Sequence, residues 1–252
     1  MNARNAKFAR IKVGSITSLE EAQHAVAAGA DAIGLAPSSG GWPASSGGIS
    51  DETISAITRA VPERVGTFLL ARDLRLPEIV SLQRRCGANT IQLCDPVSPQ
   101  GHADLQAALP GVALVQVVRL TGRSVMAQAI AASLRANALV LALPPVESAA
   151  LLADPSASSS GSPEGWALAA QIRRAVNVPV FLAGGLHATN VAAAIARVSP
   201  WGVDVGRGVR REGRVDLGLD VDDLRAFANA VRAPAVPDFV ERDTGPLQVG
   251  MD

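Results

Sequence analysis

Eight short apolar runs, each followed by an amphipathic stretch, constrain this chain more than any other feature of its 252 residues. The runs are Ile11–Gly14, Ala32–Ala36, Val65–Leu69, Thr90–Cys94, Ala113–Arg119, Ala138–Leu143, Val180–Ala183 and Val203–Val205. Helical patterns start near Ser18, Ser50, Leu74, Ala103, Ser124, Glu164, Ala188 and Asp220. Strands alternating with helices imply parallel βα units, and eight such units predict a closed (β/α)8 barrel rather than an open doubly wound sheet. The length fits, because about 250 residues is the usual size of that fold. Hydrophobic residues are 48% of the chain and aromatics only 3%, with no Tyr, so small aliphatic side chains must fill the core. That composition suits a parallel sheet covered by helices.

A weak internal repeat supports the barrel. Ala28-Gly29-Ala30-Asp31-Ala32-Ile33-Gly34-Leu35 returns as Cys86-Gly87-Ala88-Asn89-Thr90-Ile91-Gln92-Leu93, and more loosely from Arg135 to Leu141. In the first two copies a glycine follows a helix, where a residue tolerant of positive φ ends it at least cost. An Asp or Asn then feeds the next strand. Two internal stretches and the tail from Ala233 break the rhythm. Pro37–Gly48 and Pro144–Pro163 are rich in Gly, Ser or Pro and follow strands 2 and 6, on the face where barrels carry their sites. Each reads equally as a lid or as a plain insertion. The barrel is expected over residues 1–232, with 233–252 as a C-terminal extension and a candidate contact in a homodimer.

Charge and cysteine content narrow the function. The formal net charge is zero, so no global field draws the chain to nucleic acid or to an anionic membrane, and neither is an expected partner. Two cysteines, Cys86 and Cys94, make no disulfide framework, and no metal-spaced cluster or nucleotide fingerprint is present. No metal and no cofactor are expected. The polar, basic N-terminus leads into no apolar run, and no stretch approaches the ~18 uninterrupted apolar residues of a membrane span. A cytoplasmic protein is the expectation.

The clearest site signal lies after the last two strands. Ala183-Gly184-Gly185-Leu186 follows strand 7, and Val205-Gly206-Arg207-Gly208-Val209 follows strand 8. Glycines at these turns let backbone N–H groups approach an anion, and Arg207 adds charge. Gly184, Gly185, Gly206, Arg207 and Gly208 are therefore the expected phosphate-binding set, and a phosphorylated small molecule the expected ligand.

Taken together, Lys12-Val13-Gly14-Ser15-Ile16-Thr17, Ala28–Leu35, Ile91-Gln92-Leu93, Ala183–Leu186 and Gly202–Val209 resemble the successive motifs of the phosphoribosylanthranilate isomerase family. The similarity runs from about Arg10 to Arg232. It implies a TIM barrel of the ribulose-phosphate-binding type and an Amadori rearrangement in tryptophan biosynthesis, which opens a phosphoribosyl-amine and moves a proton from C2. In the family a Cys ending strand 1 is the base and an Asp ending strand 6 is the acid. By the resemblance those positions fall on Gly14 and Ala142, which transfer no proton. Loss of one such group typically costs ~10²–10⁴ in rate. The family's Arg after strand 2 falls near Gly47, and its His after strand 4 on Cys94. Its Gly-Gly-Thr-Gly after strand 6 is echoed only by Ser159-Ser160-Gly161-Ser162.

Other residues near the mouth are candidates for the lost roles. Strand alternation puts Lys12 and Gly14 on one face, and Gln92 and Cys94 on one face. Cys94 reads as a displaced acid or base, or as a small residue packing in the mouth. Asp95 reads as a rim carboxylate or as a helix cap. Arg119 is a candidate for an anionic group, and Lys12 for a substrate contact or an interior charge satisfied within the barrel. Asp204 reads as structural. His187, directly after the strand 7 glycines, is a candidate phosphate contact, whereas His24 is placed in a helix and His102 in a solvent-facing loop. Two functions remain: a divergent isomerase paralogue with altered chemistry, or a catalytically silent protein that keeps the phosphate pocket as a binding or scaffold module.

Overall fold

The computed structural model describes residues 8–143 and 163–233. Its eight βα units run β1 (Arg10–Val13), α1 (Leu19–Ala27), β2 (Ala32–Pro37), α2 (Asp51–Ala60), β3 (Gly66–Ala71), α3 (Leu76–Cys86), β4 (Thr90–Leu93) and α4 (Pro99–Ala108). They continue as β5 (Ala113–Arg119), α5 (Val125–Ser133), β6 (Ala138–Ala142), α6 (Pro163–Ala175), β7 (Val180–Ala183), α7 (Val191–Val198), β8 (Gly202–Val205) and α8 (Val221–Arg232). Every ladder is parallel, and β1 pairs with both β2 and β8, which closes the barrel. Each expected strand is found, its ends moved by at most two residues.

The repeat has a physical origin at the N-terminal end of the barrel. Asp31 Oδ2 accepts from Ile11 N at 2.9 Å, Asn89 Oδ1 from Thr67 N at 2.9 Å and Asn137 Oδ1 from Leu114 N at 2.8 Å. In each case the residue that opens an even strand satisfies a backbone donor at the start of the strand before it. Gly29 and Gly87, which end the preceding helices, take φ of 90° and 69°, as the positive-φ reading requires.

Two shells of apolar side chains meet at the sheet. Outward residues such as Ile33, Leu69, Leu139 and Val203 pack under helix residues including Ile54, Ile57, Leu224 and Phe227. Inward residues form a smaller cluster of Ala32, Ala36, Phe68, Leu70, Cys94, Val115, Val140 and Phe181. Phe181 packs edge-on against Phe68 and Trp201, with centroids 5.7 and 5.0 Å apart. Those rings need the missing side chain at Gly202, where a Cβ would fall 2.7 Å from the Phe181 ring. The N-terminal end is thereby plugged by these rings.

Helix starts differ from the sequence expectation in three places. The fourth helix begins at Pro99, not near Ala103, because Ser98 accepts from Gly101 N at 3.0 Å and proline suits the first helical position. As a result His102 lies inside α4, 2% exposed, and not in a solvent-facing loop. The third helix starts at Leu76 after the Arg75 cap, and the seventh at Val191 after Asn190. Within the stretch after β2, Gly48–Ile49 forms a two-residue strand against the end of β2. Residues 144–162, with the Ser159–Ser162 echo, and residues 234–252 lie outside the described residues. Among the described residues no helix is long and apolar enough to cross a membrane.

Candidate functional site

The turns after β7 and β8 are brought into direct contact. A Cβ on Gly208 would fall 1.9 Å from Leu186 O and 3.2 Å from His187 Cα, so the two loops touch backbone to backbone. Gly184 and Gly185 hold φ of 103° and 62°, a conformation that favours glycine. Asn190 straps this turn, its Oδ1 accepting from His187 N at 2.9 Å while its Nδ2 donates to Gly185 O at 2.8 Å. A Cβ on Gly206 would meet nothing within 4 Å, so that side of the turn is open. Arg207 is exposed and its side chain has no hydrogen bond or ion pair among the described residues. His187 bonds Thr189 through Nδ1 at 2.8 Å, while its Nε2 is buried without a partner. Burial lowers its pKa.

Beside these turns stands the end of β1, paired with β8, and farther round the barrel stand the ends of β3, β4 and β5. Lys12 is 1% exposed, and its Nζ donates to Asp204 Oδ2 at 2.7 Å, which makes it an interior charge satisfied within the barrel. Gly14 follows at the rim, its N donating to Val205 O at 2.7 Å. Cys94 is buried in the inner cluster, and desolvation pushes its thiol up to about 11. Protonated at neutral pH, it is no base there. Asp95 caps no helix, since Ser98 caps α4; its Oδ2 instead accepts from Asp73 N at 2.7 Å and braces the turn after β3. Arg119 is exposed, with Nη1 donating to Cys94 O at 3.2 Å.

Two groups here escape a sequence reading. Arg72, one residue past β3, lies 3.8 Å over the Trp42 ring and donates to Gly41 O at 3.2 Å, which ties the segment after β2 to the rim. Arg210 is fully buried. Its Nη1 meets Glu21 Oε1 at 2.5 Å, and its Nη2 donates to the carbonyls of Gly14 and Ser15. Glu21 in turn accepts from Thr17 N at 2.8 Å and Leu219 N at 2.9 Å. Arg210 thus joins α1 and the loop after β1 to the loop after β8. The partners stand 189 positions apart, and nothing local in the sequence signals the pair.

Among the described residues no three His, Cys, Asp or Glu side chains gather to hold a metal ion. The mouth instead offers glycine turns, a free guanidinium and a buried Lys–Asp pair on one side, and a neutral thiol and two arginines on the other. That arrangement can hold an elongated anion across the barrel.

Comparison with known proteins adds an independent line. The family model described as N-(5'phosphoribosyl)anthranilate (PRA) isomerase matches residues 11–220. The chain is similar to N-(5'-phosphoribosyl)anthranilate isomerase of Halobacterium salinarum, 32% identical over 231 residues, covering 91% of this chain and 97% of the relative. Its fold is similar to that of phosphoribosyl anthranilate isomerase from Thermotoga maritima, with a TM-score of 0.73, 24% identity and coverage of 89% and 98%. A phosphoribosyl anthranilate isomerase solved in complex with reduced 1-(o-carboxyphenylamino)-1-deoxyribulose 5-phosphate is similar at a TM-score of 0.71 and 23% identity, with coverage of 89% and 98%.

Proposed function

The chain belongs to the phosphoribosylanthranilate isomerase family, and from that premise we propose that it acts on a phosphorylated, sugar-like small molecule held across the barrel mouth. Gly184, Gly185, Gly206, Arg207 and Gly208 bind the phosphate, and Arg119 receives the other end. The observation that carries this reading is the backbone contact between the β7 and β8 turns at Gly208 and Leu186, since an anion cradle needs N–H groups converging from both.

The reacting end differs from the family pattern by resemblance, with Gly14 and Ala142 at the positions of the base and the acid. Chemistry altered from the family's rearrangement follows, in a divergent paralogue. Catalytic silence is the second reading, favoured by the same two positions. Turnover of phosphoribosylanthranilate, followed by loss of its fluorescence, separates these readings. Slight wild-type turnover is expected, with a rise in the Gly14→Cys/Ala142→Asp variant on the order of the ~10²–10⁴ attributed to a positioned acid or base. The space for the thiol exists, because a Cβ at position 14 has no neighbour nearer than 3.5 Å. Robust wild-type turnover contradicts the altered chemistry and returns the chain to the family's own reaction.

A further inference from the structure

We propose that Asp204 is the proton-accepting group of this barrel, facing the space left vacant at Gly14. The proposal rests on the phosphorylated-ligand reading above. Its first support is position. A Cβ built on Gly14 would sit 3.5 Å from Asp204 Oδ1, so a carboxylate oxygen borders the volume a side chain there would occupy. Orientation is the second. Lys12 Nζ holds Oδ2 at 2.7 Å, while Oδ1 has no hydrogen-bond partner among the described residues. The ammonium therefore fixes the carboxylate with its second oxygen free.

Access is the third. Three glycines surround the pair: a Cβ on Gly34 would press to 3.2 Å on both Lys12 Nζ and Gly14 Cα, and one on Gly206 would meet nothing within 4 Å. Lys12 keeps only 2% of its side-chain surface exposed, whereas Asp204 keeps 12%. Asp204 also stands two residues before Gly206, so a ligand whose phosphate occupies the glycine turns has its carbon chain beside this carboxylate. Cys94, the other group at this depth, is a buried thiol that stays protonated.

The ligand class is a phosphorylated 2-ketose, or an imine that tautomerises to one. In the step assigned to Asp204, the C–H bond next to the carbonyl breaks and its proton moves to Oδ1. The bonding pair becomes the carbon–carbon double bond of an enol, and the carbonyl π pair moves onto oxygen, which takes a proton from water. Reversal returns a proton from Oδ1 to carbon, so exchange with solvent leaves no net redox change. This half-reaction needs no acid at position 142.

The test is deuterium wash-in at C1 of 1-(o-carboxyphenylamino)-1-deoxyribulose 5-phosphate in D2O, followed by proton NMR, with binding of the same compound measured by calorimetry. Wild type is expected to bind it and to exchange C1 faster than buffer does. Asp204→Asn should lower that rate by ~10²-fold or more. Gly14→Val, which covers Oδ1 while keeping both Lys12 and Asp204, should do the same while inorganic phosphate still binds; it decides alone if Asp204→Asn does not fold. Adding Gly14→Cys to Asp204→Asn should restore exchange, which a merely structural role for the carboxylate would not allow. Binding without exchange in wild type, or an unchanged rate in Asp204→Asn or in Gly14→Val, overturns the proposal and leaves the phosphate reading standing. Failure of wild type to bind the compound overturns both.

Discussion

His102 and His187 are both held neutral by burial, and in both the shift lowers the pKa from 6.5. His102 is the more consequential. Its Nε2 lies 3.2 Å from Gln116 Oε1, and Gln116 Nε2 donates to Leu93 O at 3.0 Å and Asp95 O at 2.9 Å. The ring therefore supports the amide that holds the end of β4 beside Cys94. An unfolded histidine takes up its proton near pH 6.5, whereas these folded ones do so only at lower pH. Between those values the unfolded chain binds more protons, so acid favours unfolding. Stability measured by urea denaturation should be flat above about pH 6.5 and fall below it. His102→Gln should reduce that slope, with His187 retaining part of it. A slope unchanged in the variant would contradict the buried, neutral ring.

At the scale of elements, the rim is held by crossing contacts rather than by the strands alone. Arg210 and Glu21 fasten the loop after β1, with Gly14 and Ser15, to the loop after β8. Ser15 holds a φ of 56°, a conformation that costs a non-glycine residue energy unless its surroundings impose it. The guanidinium on its carbonyl is such a restraint. Arg210→Met leaves Glu21 and two carbonyls without their donor, and breaking a buried pair from one side costs roughly 3–5 kcal/mol. Denaturant unfolding should register that loss, while removal of the exposed Arg214–Asp216 pair should leave the midpoint where it was.

The same contrast explains what a reader of the sequence can and cannot find. Strands and glycine turns announce themselves locally, through apolar runs and through residues that alone tolerate a given φ. Asp31, Asn89 and Asn137 recur at a fixed place before a strand, so even their shared role leaves a trace. Arg210 and Glu21 leave none, and neither does the stacking of Arg72 on Trp42, because those partners meet only once the barrel has closed. His102 departs from the expected solvent-facing loop for a local reason: Ser98-Pro99 is a helix start that carries the polar residues after it into α4.

For the whole molecule, zero formal charge and a plugged N-terminal end leave the C-terminal mouth as the place where an anion can be selected. On the proposed reading, selection there depends on backbone donors and Arg207, not on the protein's overall field. Charge-assisted hydrogen bonds contribute about 1.5–3 kcal/mol each. The decisive measurement is calorimetric titration of reduced 1-(o-carboxyphenylamino)-1-deoxyribulose 5-phosphate and of the same compound lacking its phosphate, into wild type and Gly206→Asp. Wild type should bind the phosphorylated compound roughly 10–100-fold more tightly. Gly206→Asp, placing a negative charge where the turn is open, should erase that difference. Equal affinity of wild type for the two compounds would contradict the account.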